Sequence, residues 1–226
     1  MSQPAPETPS NTRRTFLQRT AVATAVPAAL LVAGQANEAH ARGRGSFPEL
    51  YPGGNSRNFH EIQADEIAHV NALLSALGTN ARPEPTFTNL EQPDLNHFIS
   101  LSYAFENTGV GAYLGAAPAI FDKGILASAA SIALIEAYHS GYLNTLVNFP
   151  ITPSATPFIY PFSIAQVIQN AGSFVTSLNG GPPLSFDPNP ANASPTNDIA
   201  ILNFALVLEY LERNFYNINV PKFFGR

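Results

Sequence analysis

The sequence lacks cysteine, and it contains no long run of charged residues. None of its 226 residues is a cysteine, and only 12% are Asp, Glu, Lys or Arg. The absence of cysteine excludes a disulfide framework and also excludes thiolate ligands for a metal ion. With 45% hydrophobic residues, the composition predicts one ordinary globular domain with appendages.

Basic residues are scarce as well. If residues 1–41 are removed as a leader, 8 basic and 14 acidic residues remain, which gives a net charge of −6. Proteins that bind nucleic acid neutralise phosphates with Lys and Arg. A chain with this balance is therefore not expected to have a nucleic acid partner.

Residues 1–41 have the pattern of an export signal. A twin arginine at 13–14 precedes an apolar run over 21–33, and the small-x-small sequence AHA follows at 39–41. The run is too short and too rich in alanine for a stable transmembrane helix, so no stable membrane insertion is expected. The segment resembles a Tat signal, which predicts export to the periplasm or the extracellular space, often after a cofactor has been acquired. The alternative, a disordered basic tail, needs neither the run nor the cleavage site.

Residues 125–148 form an apolar segment with helical periodicity that contains Glu136 and His139. Positions i and i+3 of a helix project from the same face, so this carboxylate and imidazole can reach one metal ion. Both lie within the stripe that should face a core, where a charge must be paired, hydrogen-bonded or bound to a cation. For one such pair alone, a buried ion pair or a core histidine is the alternative explanation.

A second Glu-x-x-His pair, Glu66 and His69, lies on a helix predicted from Asn55 or Ser56 to Leu77. The processed chain has four histidines and nine glutamates, so two such pairs arise by chance about once or twice in a hundred. The repetition favours a metal site. Four other polar residues show no such pattern, and we interpret them as solvated or capping residues: His60, Glu61, Asp65 and His97.

The next predicted helix, over 95–117, carries a single core-facing carboxylate, Glu106. Asp94 is its expected N-cap, and the short turn over 118–124 makes the helix at 125–148 its antiparallel neighbour. Three glycines lower the helix propensity but would allow close approach by another helix: Gly109, Gly111 and Gly115.

A last helix is predicted over 199–217, with Asn197 or Asp198 at its start. It is apolar nearly all round, which indicates deep burial. Glu209 aligns with its apolar face. Glu212 fits a neighbouring position, either on the outer face or beside the ligands.

Proline marks the segments between these helices. Residues 42–54 are predicted to be a flexible arm, and residues 79–93 an extended connection. Residues 149–195 form a long linker with nine prolines, within which 163–178 has helical spacing. We expect the linker to pack along the outside of the bundle and to bury Phe158, Tyr160, Phe162 and the apolar face from Ile164 to Val175.

Together the four long helices predict a di-metal carboxylate site. Two of them carry Glu-x-x-His and two carry a single core-facing glutamate, which is the distribution found in four-helix bundles that hold two iron or manganese ions. Oxygen and imidazole donors suit Fe or Mn, and four carboxylates offset the charge of two divalent ions. The six candidate ligands are Glu66, His69, Glu106, Glu136, His139 and Glu209.

Three segments resemble the ferritin-like superfamily, most closely its exported ferritin-like and desiccation-related branch: DEIAHVNALLSALG, IEAYHSGYL and LNFALVLEYLERNFY. The resemblance implies an all-α, ferritin-like four-helix bundle over residues 55–226. It implies that the family's first helix contributes Glu209, the second Glu66 and His69, the third Glu106, and the fourth Glu136 and His139. Tyr113, Tyr216 and Glu212 would stand next to these ligands.

The order of the helices departs from the family, because the helix that matches the family's first one comes last here. This order resembles a circular permutation. We therefore expect the start of the helix near Asn55 and the end of the helix near Asn217 to be neighbours. The last helix could complete its own bundle or that of another copy, so a homo-oligomer or a helix-swapped dimer stays open.

Three functions remain as hypotheses. The first is an exported oxidoreductase in stress protection, a ferroxidase or peroxide-detoxifying enzyme that acts on O2 or peroxide, with Glu106 and Glu209 as catalytic carboxylates that change their mode of metal binding. The second is a non-catalytic stress or desiccation protein that only retains the fold. The third is an iron-binding or storage protein, for which the sequence shows no surfaces suited to cage assembly.

Overall fold

The computed structural model describes residues 47–152 and 157–225, and the predicted leader lies outside them. In these residues the four long helices are α1 (Gly54–Leu77), α2 (Leu95–Ala116), α3 (Lys123–Leu146) and α5 (Pro195–Phe224), with a short α4 (Ile164–Ala171) in the linker. Helix α1 packs along α5, and α2 packs along α3. The all-α bundle predicted from the sequence is confirmed.

Short elements complete the architecture. Single 3-10 turns occupy Gly78–Asn80, Ala117–Ala119, Gly172–Phe174 and Pro190–Asn192. Two strands that the sequence analysis did not predict, β1 (Thr86–Phe87) and β2 (Val175–Ser177), pair in antiparallel fashion and join the linker to the connection between α1 and α2. None of the described helices combines the length and apolarity needed to cross a membrane.

Helix α1 begins differently from the prediction. Its N-cap is Gly53, at φ 76°, and neither Asn55 nor Ser56 caps it. The carboxylate of Glu49 instead accepts hydrogen bonds from the backbone N–H groups of Gly53 (3.2 Å) and Asn55 (3.1 Å). A carboxylate beside the first turn satisfies free N–H groups and interacts favourably with the helix dipole. Part of the segment expected to be a loose arm is therefore in specific contact with α1.

Aspartates cap both middle helices, and the Asp94 cap was predicted from the sequence. Asp94 accepts a hydrogen bond from the N–H of His97 at 3.0 Å and caps α2. Asp122 caps α3 by accepting from the N–H groups of Gly124 and Ile125 at 2.7 and 2.9 Å. Each cap satisfies N–H groups that have no partner within their own helix.

Helix α5 is longer than predicted at both ends. Ser194 is its N-cap, so Asn197 and Asp198 lie inside the first turn. Asp198 instead accepts hydrogen bonds from the N–H groups of Phe121 and Asp122, which fixes the start of α5 against the α2–α3 turn. At its other end the helix continues through Phe224 because aromatic packing holds the last turn in place.

The start of α1 lies beside the end of α5, as expected from the helix order. Gln63 donates a hydrogen bond to Asn217 at 2.8 Å, and a ring nitrogen of His60 lies 3.0 Å from the carbonyl oxygen of Gly225. Phe59 stacks on Phe224 with ring centroids 4.8 Å apart. The two helices are therefore antiparallel neighbours within one chain.

The linker covers the outer side of α2. The N–H of Phe162 donates to the carbonyl oxygen of Gly111 at 2.8 Å, and a Cβ at Gly115 would lie 2.0 Å from the carbonyl oxygen of Phe162. At Gly111 and Gly115 the close approach is thus made by the linker and not by another helix. Val167 and Ala171 of α4 are buried against the bundle.

Part of the predicted burial of the linker is wrong. Phe158, Tyr160 and Ile168 are 54%, 41% and 45% exposed. The apolar helical face ends early because α4 stops at Ala171, after which Val175 belongs to β2. Phe158 and Tyr160 lie between prolines in a segment without helical structure.

The core is divided into two apolar clusters with a polar layer between them. One cluster contains Phe59, Phe98, Leu143 and Phe215, and the other contains Val70, Leu73, Ile132 and Leu206. In α1, α3 and α5 the residues between the two sets are the glutamates and histidines singled out from the sequence. The four long helices thus position acidic side chains in the middle of the bundle.

Candidate metal centre

All six candidate ligands lie together in the polar layer. Their side chains form two groups whose donor atoms lie within 4.8 Å of one another: Glu66, His69, Glu136 and Glu209 in one, and Glu66, Glu106, Glu136 and His139 in the other. Glu66 and Glu136 belong to both groups. The four glutamates are fully buried, and the two histidines are 7% and 6% exposed.

Three carboxylates surround one nitrogen of His69. Its Nδ1 lies 3.1 Å from Glu136 Oε1, 3.2 Å from Glu209 Oε2 and 3.3 Å from Glu66 Oε2. One N–H group can donate to only some of these oxygens, because each ionised carboxylate offers several lone pairs that accept hydrogen bonds. The imidazole nitrogen and these oxygens therefore converge on a single point in the core.

His139 has a similar environment on its inner side. Its Nδ1 lies 3.1 Å from Glu106 Oε2 and 3.2 Å from Glu66 Oε1. The ring centroids of His69 and His139 are 6.4 Å apart. The shared glutamates thus stand between two imidazoles that come from different helices.

Four of these oxygens make no hydrogen bond of good geometry in the described part of the chain, although three of the four lie 3.1–3.2 Å from an imidazole nitrogen. They are Glu66 Oε1, Glu209 Oε2 and both carboxylate oxygens of Glu136. A buried carboxylate oxygen without a donor is costly, and a metal ion would supply the missing partner. The donor set of carboxylate oxygens and imidazole nitrogens fits iron or manganese.

Two buried tyrosines hold the outer carboxylates in place. The hydroxyl of Tyr113 donates to Glu209 Oε1, and the hydroxyl of Tyr216 donates to Glu106 Oε1, each at 2.5 Å. Tyr113 is on the same helix as Glu106, and Tyr216 on the same helix as Glu209, so each phenol serves the glutamate of the other helix. Burial and the nearby carboxylate raise the pKa of each phenol well above its usual value.

The charges in the cluster shift the pKa values of its members in different directions. Burial alone would raise the pKa of Glu66, but contacts with His139 and His69 lower it to about 2. Burial and the charges of Glu66 and Glu106 raise the pKa of Glu136 well above its usual value, and burial raises that of Glu209 to about 7. Glu66 is therefore the best-stabilised anion of the cluster.

Both histidines hold protons strongly in this arrangement. Burial would lower the pKa of His139, but Glu106 and Glu66 raise it to about 12. The pKa of His69 is also raised, because contacts with Glu136, Glu209 and Glu66 outweigh the effect of burial. Without metal, two imidazolium rings thus provide the positive charge that the carboxylates require.

Two residues near the site add to the sequence-based interpretation, one as a correction and one by excluding an alternative. Asp65, interpreted as solvated or capping, places Oδ2 3.0 Å from His139 Nε2. Its position next to Glu66 carried no sequence signal, because the contact depends on the packing of α3. Glu212 is 3% exposed, so the outer-face alternative is wrong. Its burial, together with the charges of Glu66 and Glu106, raises its pKa well above the usual value.

Gly109 makes room for one of the shared glutamates. A Cβ at this position would lie 2.9 Å from Glu136 Oε2, which is closer than such contacts allow. The glycine occurs three residues after Glu106, where α5 has Glu212 three residues after Glu209. Because Gly109 has no side chain, α2 leaves space for the Glu136 carboxylate of α3.

The fold and the site define an all-α bundle with buried carboxylate and histidine groups that could hold metal ions. Residues 19–148, more than half of the chain, match the family described as ferritin-like domain. The chain therefore belongs to the ferritin-like family. The matched range includes α1, α2 and α3 and ends before α5. No curated protein and no solved structure matches the chain.

Proposed function

We propose that this ferritin-like protein holds two Fe or Mn ions in the polar layer of its bundle. The observation that carries the proposal is the convergence of four buried carboxylates and two imidazoles, whose donor atoms lie within 4.8 Å of one another in two groups. Four of the carboxylate oxygens make no hydrogen bond of good geometry. His69 and Glu209 would serve one ion, and His139 and Glu106 the other. The two remaining glutamates are shared by both groups and would bind both ions.

We further propose that the protein is an exported oxidoreductase that acts on Fe(II) with O2, or on peroxide, in stress protection. When bound, a pair of such ions supplies the change of oxidation state that these reactions require. The chain contributes the environment. Tyr113 and Tyr216 orient Glu209 and Glu106, and the apolar clusters on both sides of the site exclude water. The twin arginine and apolar run of the leader support export.

A structural protein that retains the fold is the second candidate. Its support is that His69 and His139 already pair with the carboxylates. Two imidazolium charges nevertheless do not balance five buried glutamates, so this candidate requires Glu136, Glu209 and Glu212 to remain protonated, in line with their raised pKa values. A storage protein would use the same ligands but would have to accumulate more than the two ions of the site.

Metal analysis of protein purified from its own host tests the proposal. We expect about two Fe or Mn ions per chain, and oxidation of Fe(II) or decomposition of peroxide by the loaded protein. Glu91→Gln is a matched control, because this exposed carboxylate pairs with Lys222 away from the site and should leave the metal content unchanged. Protein without bound metal would favour the structural candidate, and metal content far above two ions would favour storage.

We also propose that the chain is a circular permutation of the family's helix order. The contacts between the start of α1 and the end of α5 support it. A rearranged chain tests it: it would start at residue 157, run to residue 225, continue through a flexible Gly-Ser linker into residue 47, and end at residue 152. We expect it to fold with the same helicity and metal content. A rearranged chain that does not fold, while the natural order does, would count against the proposal.

A further inference from the structure

The outer side of α2 and the side between α1 and α3 differ in what covers them. The linker covers the outer side of α2, where Phe162 contacts Gly111. Between α1 and α3 the structure instead has a pocket of about 250 Å³. The polar residues that line it are Asn58, Glu61 and Asp65 of α1, and Tyr138, His139 and Tyr142 of α3.

The imidazole ring of His139 separates this pocket from the candidate metal centre. Its Nε2 is 3.0 Å from Asp65 Oδ2 on the pocket side, and its Nδ1 is 3.1 Å from Glu106 Oε2 on the inner side. A ligand held by Asp65 is therefore separated from the buried carboxylates by one imidazole ring. Tyr138, which is 73% exposed, and the exposed Glu61 place the other end of the pocket at the surface.

The chemistry of the lining favours a cation. Glu61 and Asp65 are four residues apart, so both carboxylates project from the same face of α1. No Lys or Arg is among the lining residues, so the two carboxylates outnumber the one imidazolium, that of His139. A cleft with a net negative charge raises the local concentration of cations. The other polar groups are amide and phenol oxygens, which are suitable neighbours for a hydrated divalent ion.

The size of the pocket agrees with this ligand. At ~30 Å³ per water molecule, six waters around an ion occupy ~180 Å³, which is less than the pocket volume of about 250 Å³. We propose that the pocket between α1 and α3 is the port through which Fe(II) or Mn(II) enters the bundle, with Glu61 and Asp65 as the receiving carboxylates. This inference rests on the proposed function, because it assigns the route by which that site would be filled.

The rate of metal uptake tests the port independently of activity. Apo protein is mixed with Mn(II) at low ionic strength, and the loss of the free-ion EPR signal is followed in time. We expect about threefold slower uptake for Glu61→Gln and about tenfold slower uptake for Glu61→Lys, because the pocket loses and then reverses part of its charge. The differences should shrink at high salt, and the amount bound at equilibrium should stay the same.

Two further variants separate a port from a general charge effect. Glu91→Lys makes the same charge change at an exposed carboxylate outside the pocket, and it should load like the wild type. Asn58→Trp fills the pocket without changing its charge, and it should slow uptake. Melting temperatures of all variants show that each is folded.

The outcomes distinguish failure of the port from failure of the proposed function. Wild-type uptake rates in both Glu61→Lys and Asn58→Trp would overturn the port while leaving the metal site in place. Equal slowing by Glu61→Lys and Glu91→Lys would also overturn it, because overall charge would then explain the effect. If the wild type binds no Mn(II) or Fe(II) at equilibrium, the proposed function fails, and the port fails with it.

Discussion

The candidate metal centre has two halves, one around His69 and one around His139. The two halves contain the same kinds of residues but have different surroundings. Each half has one histidine, one glutamate held by a tyrosine, and a share in Glu66 and Glu136. In the His139 half, Nε2 of the histidine contacts Asp65, and the ring lines a pocket. In the His69 half, no carboxylate in the described part of the chain pairs with Nε2. The repeated arrangement gives each half a histidine and a glutamate of its own, and the pocket lies beside the His139 half.

The largest expected effect is a loss of bound metal, and its extent should differ between the glutamates that both groups share and those that belong to one group. Glu136→Ala should abolish tight binding of both ions, because its carboxylate belongs to both groups, whereas Glu209→Ala should retain one ion beside His139. Metal content after dialysis measures both. Glu212→Gln is the matched control, since this buried glutamate belongs to neither group and should leave the metal content unchanged. Equal losses in Glu136→Ala and Glu209→Ala would show that the halves do not bind separately.

The two shared glutamates should differ in the metal-free protein. Glu66 is ionised and contacts both histidines, so Glu66→Gln should lower the free energy of unfolding by about 3–5 kcal/mol. Glu136 has a raised pKa from burial and neighbouring carboxylates, so Glu136→Gln should be neutral or stabilising. Urea unfolding of both apo variants measures the difference. The reverse order would mean that the anion of the cluster is Glu136.

The stability of the apo protein should fall as the pH rises, whereas the stabilisation by added metal should grow. The pKa of Glu209 is raised from 4.5 to about 7 by burial, so its contribution is fully present below pH 4.5 and is lost as the pH rises through 7. This change costs the apo protein about 3 kcal/mol between these values. The pKa of His139, raised to about 12 against the effect of burial, acts in the same direction above pH 6.5.

Glu66 does not alter this trend, because its lowered pKa of about 2 affects stability only below pH 4.5. Metal ions compete with the same protons, so the increase in melting temperature on metal addition should grow with pH. Melting curves of apo and loaded protein at pH 5 and pH 8 test both trends. An apo protein that becomes more stable between these values would contradict the charge assignments.

Removing the partner of one histidine should affect one half of the site. Asp65→Asn should weaken metal binding at the His139 half by about 10–100-fold, because carboxylates that orient a ligating histidine typically contribute this much. Binding at the His69 half should not change. Titration with Mn(II) would then resolve two unequal sites. Two sites weakened equally would show that Asp65 acts on the whole centre and not on His139 alone.

The smallest expected effect is the loss of stability on removal of one tyrosine hydroxyl, and it tests whether the two tyrosines contribute equally. Tyr113→Phe and Tyr216→Phe each remove one hydrogen bond to a buried carboxylate, and each should lower the stability of the loaded protein by about 1–3 kcal/mol. Similar losses would support equivalent halves. A much larger loss for one variant would show that its glutamate depends more on the phenol, and Tyr138→Phe, at an exposed position, serves as the control.

The six candidate ligands could be found from the sequence because their positions within each helix depend on local geometry. A helix places residues i and i+3 on one face, so Glu66 with His69 and Glu136 with His139 had to project together. The apolar stripe around each pair showed that this face is buried. The same reasoning predicted that Glu106 and Glu209 face the core, and all four glutamates are fully buried in the structure.

Only the tertiary structure decided which helix each side chain meets. Asp65 became a partner of His139 because α3 lies beside α1, and Tyr113 and Tyr216 contact glutamates of the opposite helices. The periodicity of one helix contains no information about the register of its neighbour. Glu212 is buried because α5 is surrounded by other elements, so its apparent outer face is also covered.

The sequence by itself thus determined the four long helices, the Asp94 cap and the six side chains that gather in the core. The tertiary structure decided how those side chains are divided into two groups, where the linker covers the bundle and where a pocket remains. The physical reason is the range of the interactions. Helix periodicity and capping act within a few residues, whereas the pairing of helices and the docking of Phe162 against Gly111 join residues distant in the chain.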